Sequence, residues 1–180
     1  MLHRDCAGRM TEERCVGENK RYSSNDCSHE TCIFCSIANG HHPYTQILAD
    51  DTDIVCFQDI FPSAPHHYLV IPRKHIHSCL SLKVDDISLV RRMEEIGKAV
   101  LKAKKVTDLE DISLGFHVPP NITVPHLHLH VLAPFSQLHI ETRFKYRDKW
   151  YITVEKLLNI LTKKKRFDYQ KWTCNKWMPF

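Results

Sequence analysis

The chain of 180 residues has few glycines and no long apolar run. It contains only 5 glycines and 9 prolines, too few for a collagen-like or low-complexity protein. No stretch approaches the roughly 20 consecutive apolar residues that a membrane-spanning helix requires. Because 43% of the residues are apolar, the chain can bury a hydrophobic core. These features exclude wholly disordered, fibrous and membrane-spanning proteins, and they predict one globular domain with terminal extensions.

The chain also lacks a strong excess of charge outside its C-terminal end. Its formal net charge is +4 at pH 7, but residues 163–180 alone carry +5, so the rest of the chain sums to −1. A near-neutral body is not typical of a protein that follows nucleic-acid phosphates, and nucleic acid is not an expected partner. The basic cluster at 163–166 is typical of a solvated helix end, with a nuclear-import signal as the alternative.

The first 20 residues lack the apolar core of a secretory signal peptide, since charged residues are spread through them. The eight cysteines are therefore expected to be thiols or metal ligands in a reducing compartment. We expect the protein in the cytoplasm, and also in the nucleus if the basic cluster acts as an import signal. No membrane partner is expected.

Hydrophobic periodicity predicts an α+β domain over residues 32–160, with an antiparallel sheet, one long helix and a short N-terminal helix. Residues 1–31 have no helical or strand period and are expected to form a disordered arm. Residues 161–180 form a basic tail that contains tryptophans. The predicted helices are 31–37, 84–104 and 153–162, and the predicted strands are 45–48, 54–57, 68–72, 112–118 and 124–132.

Three histidines alternate with apolar residues near the end of the domain. In a strand, His126, His128 and His130 share one face, while the intervening leucines face the core. Aligned imidazoles offer a nucleophile together with proton donors and acceptors, and phosphorus is the electrophile that suits them. Two alternatives remain at this point: polar residues on a solvated face, or a two-histidine zinc pair of a metal-dependent hydrolase.

The histidine segment resembles the motif of the histidine triad superfamily. Residues 126–132 match its alternation of histidine and hydrophobic residues. Residues 57–60 and 68–75 resemble the segments that line the nucleotide pocket of the same fold, so the resemblance covers about residues 32–140. The connection at 119–125 is shorter than in the small phosphoramidases of the superfamily and has no assigned equivalent of their phosphate-facing asparagine.

The resemblance implies a hydrolase that releases AMP from adenosine phosphoramidates and aminoacyl-adenylates. By position, His128 corresponds to the nucleophile that becomes adenylylated, His130 to the ring that contacts the phosphate, and His126 to the ring that orients the others. His75 corresponds to a fourth histidine. No metal or cofactor is expected in the chemical step. Since histidine rather than glutamine stands at position 130, hydrolysis is expected in place of nucleotidyl transfer.

The resemblance also assigns the contacts to a purine nucleotide. Asp59 corresponds to the carboxylate that holds the ribose hydroxyls, although Asp59 also fits a turn before the prolines. Thr123 replaces a serine hydroxyl that faces the phosphate. The expected apolar contacts to the base, each of which also suits a plain core position, are Ile33, Phe34, Ile37, Phe57 and Ile60.

Cys32 and Cys35 are spaced as half of a zinc site. In some members of the superfamily such a pair is completed by histidines at the positions of His75 and His126, which would make a structural zinc site. The alternative is two small buried thiols at the start of a helix.

The resemblance further implies a homodimer or higher oligomer. A competing interpretation of the whole chain is a non-catalytic nucleotide-binding or scaffold protein of the same fold, which would bind AMP without releasing it from a phosphoramidate.

Overall fold

The computed structural model describes residues 32–164. The predicted disordered arm at 1–31 lies outside the described residues, and so do residues 165–180 of the predicted tail at 161–180. The division of the chain into these parts stays a prediction. Within the described part, no helix is both long and apolar enough to cross a membrane.

The described residues form one six-stranded sheet with three α-helices, which confirms the predicted α+β class. Every pair of neighbouring strands is antiparallel, and the strand order is β1-β2-β3-β5-β4-β6. In chain order the elements are α1 (Ile33–Ala38), β1 (Ile47–Asp50), β2 (Ile54–Gln58), β3 (His66–Pro72), α2 (Ile87–Ala103), β4 (Ser113–His117), β5 (Leu129–Ala133), β6 (Tyr151–Thr153) and α3 (Val154–Lys164).

The two faces of the sheet have different partners. Helix α2 buries Val90, Met93 and Val100, spaced three and seven residues apart on one side of the helix, against the face that carries Leu129 and Val131. Helix α3 packs in the same layer. Helix α1 packs on the opposite face, over β2 and β3. The opposite face is therefore the one that also carries His130 of β5.

Two helix ends follow from local sequence. Helix α1 ends at Ala38 with Asn39 as its C-cap, and the next residue, Gly40, has φ of +73°, a conformation in which glycine carries no Cβ penalty. The predicted helix from residue 84 begins as a 3₁₀ turn over Val84–Asp86, and the α-helical part starts at Ile87. The carboxylate of Asp86 accepts a hydrogen bond from the backbone N–H of Lys83 at 2.8 Å, which fixes this start.

The strand predicted at 124–132 is shorter than expected, because β5 covers only Leu129–Ala133. The neighbouring strand β3 ends at Pro72, which has no N–H with which to continue the ladder. The backbone N–H of Leu127 donates to the carbonyl of Ile76 in place of a β3 residue. The ring N–H of His126 donates to the carbonyl of Pro72. The chain before β5 is extended enough to keep Leu127 in the core. Histidine and apolar side chains therefore still alternate between the two faces, although residues 124–128 are not part of the strand.

Gly115 lies in β4 directly opposite His130 and Thr153. A Cβ at this position would clash with the Ile152 carbonyl oxygen and lie 2.6 Å from Cζ of Tyr151. We therefore expect Gly115→Ala to lower the free energy of unfolding by about 3 kcal/mol or more, measured by urea denaturation. The comparison variant is Gly40→Ala, where nothing lies within 4 Å, and we expect it to cost only about 1–2 kcal/mol through its positive φ. Equal losses in both variants would contradict this packing argument.

Candidate functional site

Three neighbouring strands each place a histidine on the same face of the sheet. His130 on β5 pairs directly with Leu69 on β3 and with Gly115 on β4. Since side chains two residues apart share a face, His67 on β3 and His117 on β4 lie beside His130. The ring centroids of His67 and His117 lie 5.1 Å and 4.6 Å from that of His130. The site is therefore built across strands as well as along one.

The three alternating histidines are buried. The exposed fractions of His126, His128 and His130 are 1%, 7% and 5%. The alternative of polar residues on a solvated face is therefore wrong. Buried polar side chains need hydrogen-bond partners, and those partners determine which nitrogen of each ring carries hydrogen.

The ring of His128 is oriented by a backbone carbonyl. Its Nδ1 lies 2.6 Å from the carbonyl oxygen of His126, and an oxygen of this kind only accepts, so Nδ1 carries the hydrogen. A neutral His128 then has its lone pair on Nε2, which is the form of imidazole that attacks an electrophile. Burial lowers the pKa of His128 to about 4, so this neutral form prevails at pH 7.

A chain of hydrogen bonds also determines the tautomer of His130. The backbone N–H of Ser63 donates to Nδ1 of His67 at 3.0 Å, so the hydrogen of a neutral His67 is on Nε2. His67 Nε2 lies 2.8 Å from Nδ1 of His130 and donates to it. A neutral His130 must then carry its hydrogen on Nε2, and this buried atom has no partner within the described residues. An N–H donor is thus left available beside His128.

A cavity of about 610 Å³ opens over these rings. Its described lining residues are Asp59, Phe61, Ser63, His67, His117, Pro120, Asn121, Ile122, Thr123, His128, His130, Phe144, Lys145, Tyr146 and Trp150. Burial lowers the pKa of His67 to about 3 and holds those of His117 and His130 below their ordinary value. The histidines that line the cavity are therefore neutral at pH 7.

Asp59 lies at the cavity wall, where sequence reasoning placed a ribose-binding carboxylate. One carboxylate oxygen accepts the backbone N–H of Phe61 at 2.8 Å, so the residue also makes the predicted turn before the prolines. The other oxygen lies 3.3 Å from Nε2 of His67. Burial raises the pKa of Asp59, while the Phe61 N–H and the charge of Lys145 act in the opposite direction. Each oxygen retains a lone pair for a further donor.

His126 and His75 lie in a second group, together with Cys32 and Cys35. The Nδ1 of His126 lies 3.4 Å from Cys32 Sγ and 3.5 Å from Cys35 Sγ, and Nδ1 of His75 lies 3.3 Å from Cys35 Sγ. All four ligand atoms lie within 4.8 Å of one another. Neither His75 nor His126 is among the described residues that line the cavity. The structure therefore separates the four histidines that sequence reasoning grouped as catalytic into two pairs.

The predicted contacts to the base differ in exposure. Phe34 and Phe57 are 8% and 4% exposed, and their rings pack edge to face with centroids 5.7 Å apart. Phe34 also contacts the ring of His128 at 5.3 Å. Ile33 and Ile60 are 43% and 83% exposed. Buried Ile37 packs with the same cluster as the two rings. None of these five residues is among the described lining of the cavity, whereas Thr123 is.

Sequence reasoning missed several residues of the cavity. The sequence assigns no chemical role to His67, which lies near the start of β3. His117 received no role, and Asn121 was not matched to a phosphate-facing asparagine although it lines the cavity. Pairing 66–72 with the triad segment in antiparallel register would have placed His67 on the same face as His130. The register is a long-range feature, so the local pattern did not show it.

The sequence of this chain is similar to those of several known proteins. A family model described as "Scavenger mRNA decapping enzyme C-term binding" matches residues 31–145. A Danio rerio protein named adenosine 5'-monophosphoramidase HINT3 is 63% identical over 156 residues, which cover 87% of this chain and 98% of that protein. A Mus musculus protein of the same name is 42% identical over 151 residues, 82% of this chain and 88% of that protein.

A solved structure of a histidine triad protein from Clostridium difficile has the same fold. It is 31% identical, has a TM-score of 0.52, and the match covers 56% of this chain and 88% of that one. The family model spans more than half of the chain, and the Danio rerio relative is covered almost completely. The chain therefore belongs to the histidine triad superfamily.

Proposed function

We propose that this protein is a hydrolase that releases AMP from adenosine 5'-phosphoramidates and aminoacyl-adenylates through a covalent His128–AMP intermediate. The proposal is carried by the 2.6 Å hydrogen bond from Nδ1 of His128 to the His126 carbonyl, which leaves the Nε2 lone pair of a neutral ring available. The names of the Danio rerio and Mus musculus relatives, adenosine 5'-monophosphoramidase, support the substrate class.

In the first step, Nε2 of His128 forms a bond to phosphorus and the phosphorus–nitrogen bond of the phosphoramidate breaks. The departing nitrogen keeps the bonding electron pair and takes one proton from solvent, so it leaves as an amine. The Nε2–H of His130 donates to a phosphoryl oxygen, where negative charge develops in the transition state. The bond from Nδ1 of His128 to the His126 carbonyl stabilises the positive charge that the ring gains.

In the second step, water attacks phosphorus and the bond between phosphorus and Nε2 of His128 breaks. The electron pair returns to the ring, AMP leaves, and the water releases the proton that balances the one taken up before. An aminoacyl-adenylate follows the same course with a carboxylate as the leaving group. Asp59 holds the ribose hydroxyls through its remaining lone pairs, and Thr123 contributes a hydroxyl at the phosphate.

Release of AMP and amine from a fluorogenic adenosine 5'-phosphoramidate tests this function directly. We expect multiple turnovers by the full chain, followed by chromatography of AMP and by fluorescence of the released amine. The scaffold interpretation predicts a different result, AMP binding measured by calorimetry with no amine release. That result would overturn the proposed hydrolase.

We also propose that Cys32, Cys35, His75 and His126 hold a structural zinc ion. Zinc with ligands at about 2.0 Å for nitrogen and about 2.3 Å for sulfur has sulfur–nitrogen edges of about 3.5 Å in a tetrahedron. Three sulfur–nitrogen distances in the structure, 3.3, 3.4 and 3.5 Å, fit those edges. The Nε2–H of His126 donates to the Pro72 carbonyl at 2.8 Å, so the lone pair of that ring faces the thiols.

A bound zinc would link the start of α1 to the segment before β5. It would take no part in the chemical step, which His128 carries out. We expect about one zinc per chain by elemental analysis of protein purified without chelators. Cys35→Ser should lose most of this zinc and unfold at a temperature at least about 5 °C lower, since a structural zinc contributes directly to folding.

The matched control for the zinc site is Cys56→Ala. Cys56 is completely buried outside the group, and burial raises its pKa to about 12, so its thiol stays protonated. This variant should lose stability through packing yet keep its zinc. A Cys35→Ser protein that keeps its full zinc content, or a wild-type protein without zinc, would contradict the proposal.

The oligomer and the compartment stay predictions. A homodimer is proposed from the resemblance to the superfamily, and a cytoplasmic or nuclear location from the sequence.

A further inference from the structure

The segment after β5 returns across the cavity and is fixed there. Within its 3₁₀ turn, Arg143–Tyr146, the side chain of Tyr146 is only 8% exposed. The hydroxyl of Tyr146 donates to Oγ of Ser63 at 3.1 Å, and its ring centroid lies 5.2 Å from that of His117. The backbone N–H of His139 also donates to the Ser63 carbonyl at 2.9 Å. These contacts hold the neighbouring residue, Lys145, at the cavity wall.

The cavity has few fixed charges. Among its described lining residues, Lys145 is the only lysine or arginine and Asp59 is the only carboxylate. The lining histidines are neutral at pH 7, because burial lowers their pKa values. The ammonium of Lys145 is therefore the positive charge that the described wall presents to a bound anion.

The charge of Lys145 acts across the cavity. Burial raises the pKa of Asp59, which follows β2, and the charge of Lys145 opposes that rise; burial lowers the pKa values of His117 on β4 and His130 on β5, and the charge of Lys145 adds to that lowering. A charge that disfavours protonation at all three positions favours negative charge in the same space.

In the proposed function the ribose lies at Asp59, which follows β2. The opposite wall is formed by β4 and the 3₁₀ turn, where His117, Lys145 and Trp150 line the cavity, and the departing group is assigned to that wall. The phosphoryl oxygens of an adenosine phosphoramidate already carry one negative charge. An acidic leaving group adds a second, which Asp59 repels unless a cation offsets it.

We propose that Lys145 forms a cationic subsite that selects adenosine 5'-phosphoramidates whose leaving group is itself negatively charged, such as an amino acid joined through its amine and carrying a free carboxylate. This inference rests on the proposed function and names the substrate class of the same cavity. An amine that lacks the carboxylate binds the same wall without this attraction. The 3₁₀ turn that carries Lys145 would then determine selectivity, while the histidines carry out the chemistry.

Two adenosine 5'-phosphoramidates test the proposal, one made from tryptophan and one from tryptamine. The leaving groups share the indole and the phosphorus–nitrogen bond and differ by one carboxylate. We expect Lys145→Met to reduce the ratio of kcat/KM for the tryptophan compound to that for the tryptamine compound about tenfold. Lys145→Arg should keep the ratio within about threefold, because it retains the charge.

The matched control is Lys102→Met, which removes the same charge from the exposed end of α2 in the helical layer across the sheet. This variant should leave the ratio unchanged. Raising the salt concentration should lower the wild-type ratio of the two kcat/KM values, because salt screens the charge of Lys145. The ratio for Lys145→Met should stay nearly constant. Equal losses on both compounds, or no loss on either, would overturn the proposal.

A binding measurement separates this inference from the proposed function. The dissociation constants of both compounds are measured by calorimetry in His128→Ala protein, with and without Lys145→Met. We expect the preference for the tryptophan compound to fall when Lys145 is replaced, even though neither protein turns over. Wild-type protein that hydrolyses neither compound would overturn the proposed function, whereas an unchanged preference in binding would overturn only the role of Lys145.

Discussion

Replacing His128 by alanine is expected to lower phosphoramidate turnover by at least about 10⁴-fold while changing the dissociation constant of AMP by less than about threefold. The variant loses the one ring whose Nδ1 is held on the His126 carbonyl and whose Nε2 lone pair is available. Without a nucleophile the two-step displacement cannot begin, and only binding and electrostatic effects remain. Turnover is measured by amine fluorescence and AMP binding by calorimetry.

The control for His128→Ala is His41→Ala, which removes an exposed histidine from the loop after α1. This variant should keep wild-type turnover and AMP binding. Thermal unfolding of both variants shows whether the fold is retained. Turnover within about tenfold of wild type in folded His128→Ala would contradict the nucleophilic role of His128.

The second large effect is expected at His67, which acts through His130. Its Nε2–H donates to Nδ1 of His130 at 2.8 Å, and this bond keeps the hydrogen of His130 on Nε2, where it can meet a phosphoryl oxygen. In His67→Leu the donor is lost, His130 can adopt the other tautomer, and we expect kcat to fall about 100-fold. Glutamine can place an N–H near the position of Nε2, so His67→Gln should recover most of this loss.

Comparing the two variants distinguishes positioning from packing. Both remove the imidazole of His67, but only His67→Gln keeps a donor for His130. We expect the kcat values to differ at least about tenfold, with the KM values similar. If both variants lose the same activity, the account of the His130 tautomer is wrong.

The lowered pKa of His67 also makes the stability of the protein depend on pH. Burial lowers the folded-state pKa of His67 from 6.5 to about 3. Between these values the unfolded chain binds a proton that the folded protein does not, so stability is fully present above pH 6.5 and is lost as the pH falls toward 3. The slope is at most about 1.4 kcal/mol per pH unit for this residue. Urea denaturation at several pH values between 4 and 6 gives the free energy of unfolding at each pH. This free energy should change less with pH in both His67 variants than in wild type.

The fold follows largely from local patterns in the sequence. The apolar spacing of α2 and the β-branched runs of β2 and β3 predict the bounds of these elements within three residues. The three-residue strand β6 was not predicted, since it is too short to show a period and passes directly into α3. The first residue of β5 could not be predicted from local sequence, because it depends on which residue of this part of the chain lies opposite Pro72 at the end of the neighbouring strand β3.

The candidate site was only partly accessible to sequence reasoning. Alternation of His128 and His130 with apolar residues was visible locally, and so was the spacing of Cys32 and Cys35. The partners of these residues come from distant parts of the chain, and their contacts depend on strand register and on side-chain tautomers. Thus the sequence pattern revealed the histidine motif, while the cross-strand bond between His67 and His130 became visible only in the structure.

Detection of an AMP adduct on His128 tests the central claim most directly. Wild-type protein is mixed with a phosphoramidate, quenched in acid within the first turnover, and analysed by intact mass and peptide mapping. The covalent mechanism predicts the added mass of one adenylyl group on the peptide that contains His128, with amine released before AMP. Amine and AMP released together from the first turnover, with no adduct on that peptide, would contradict it.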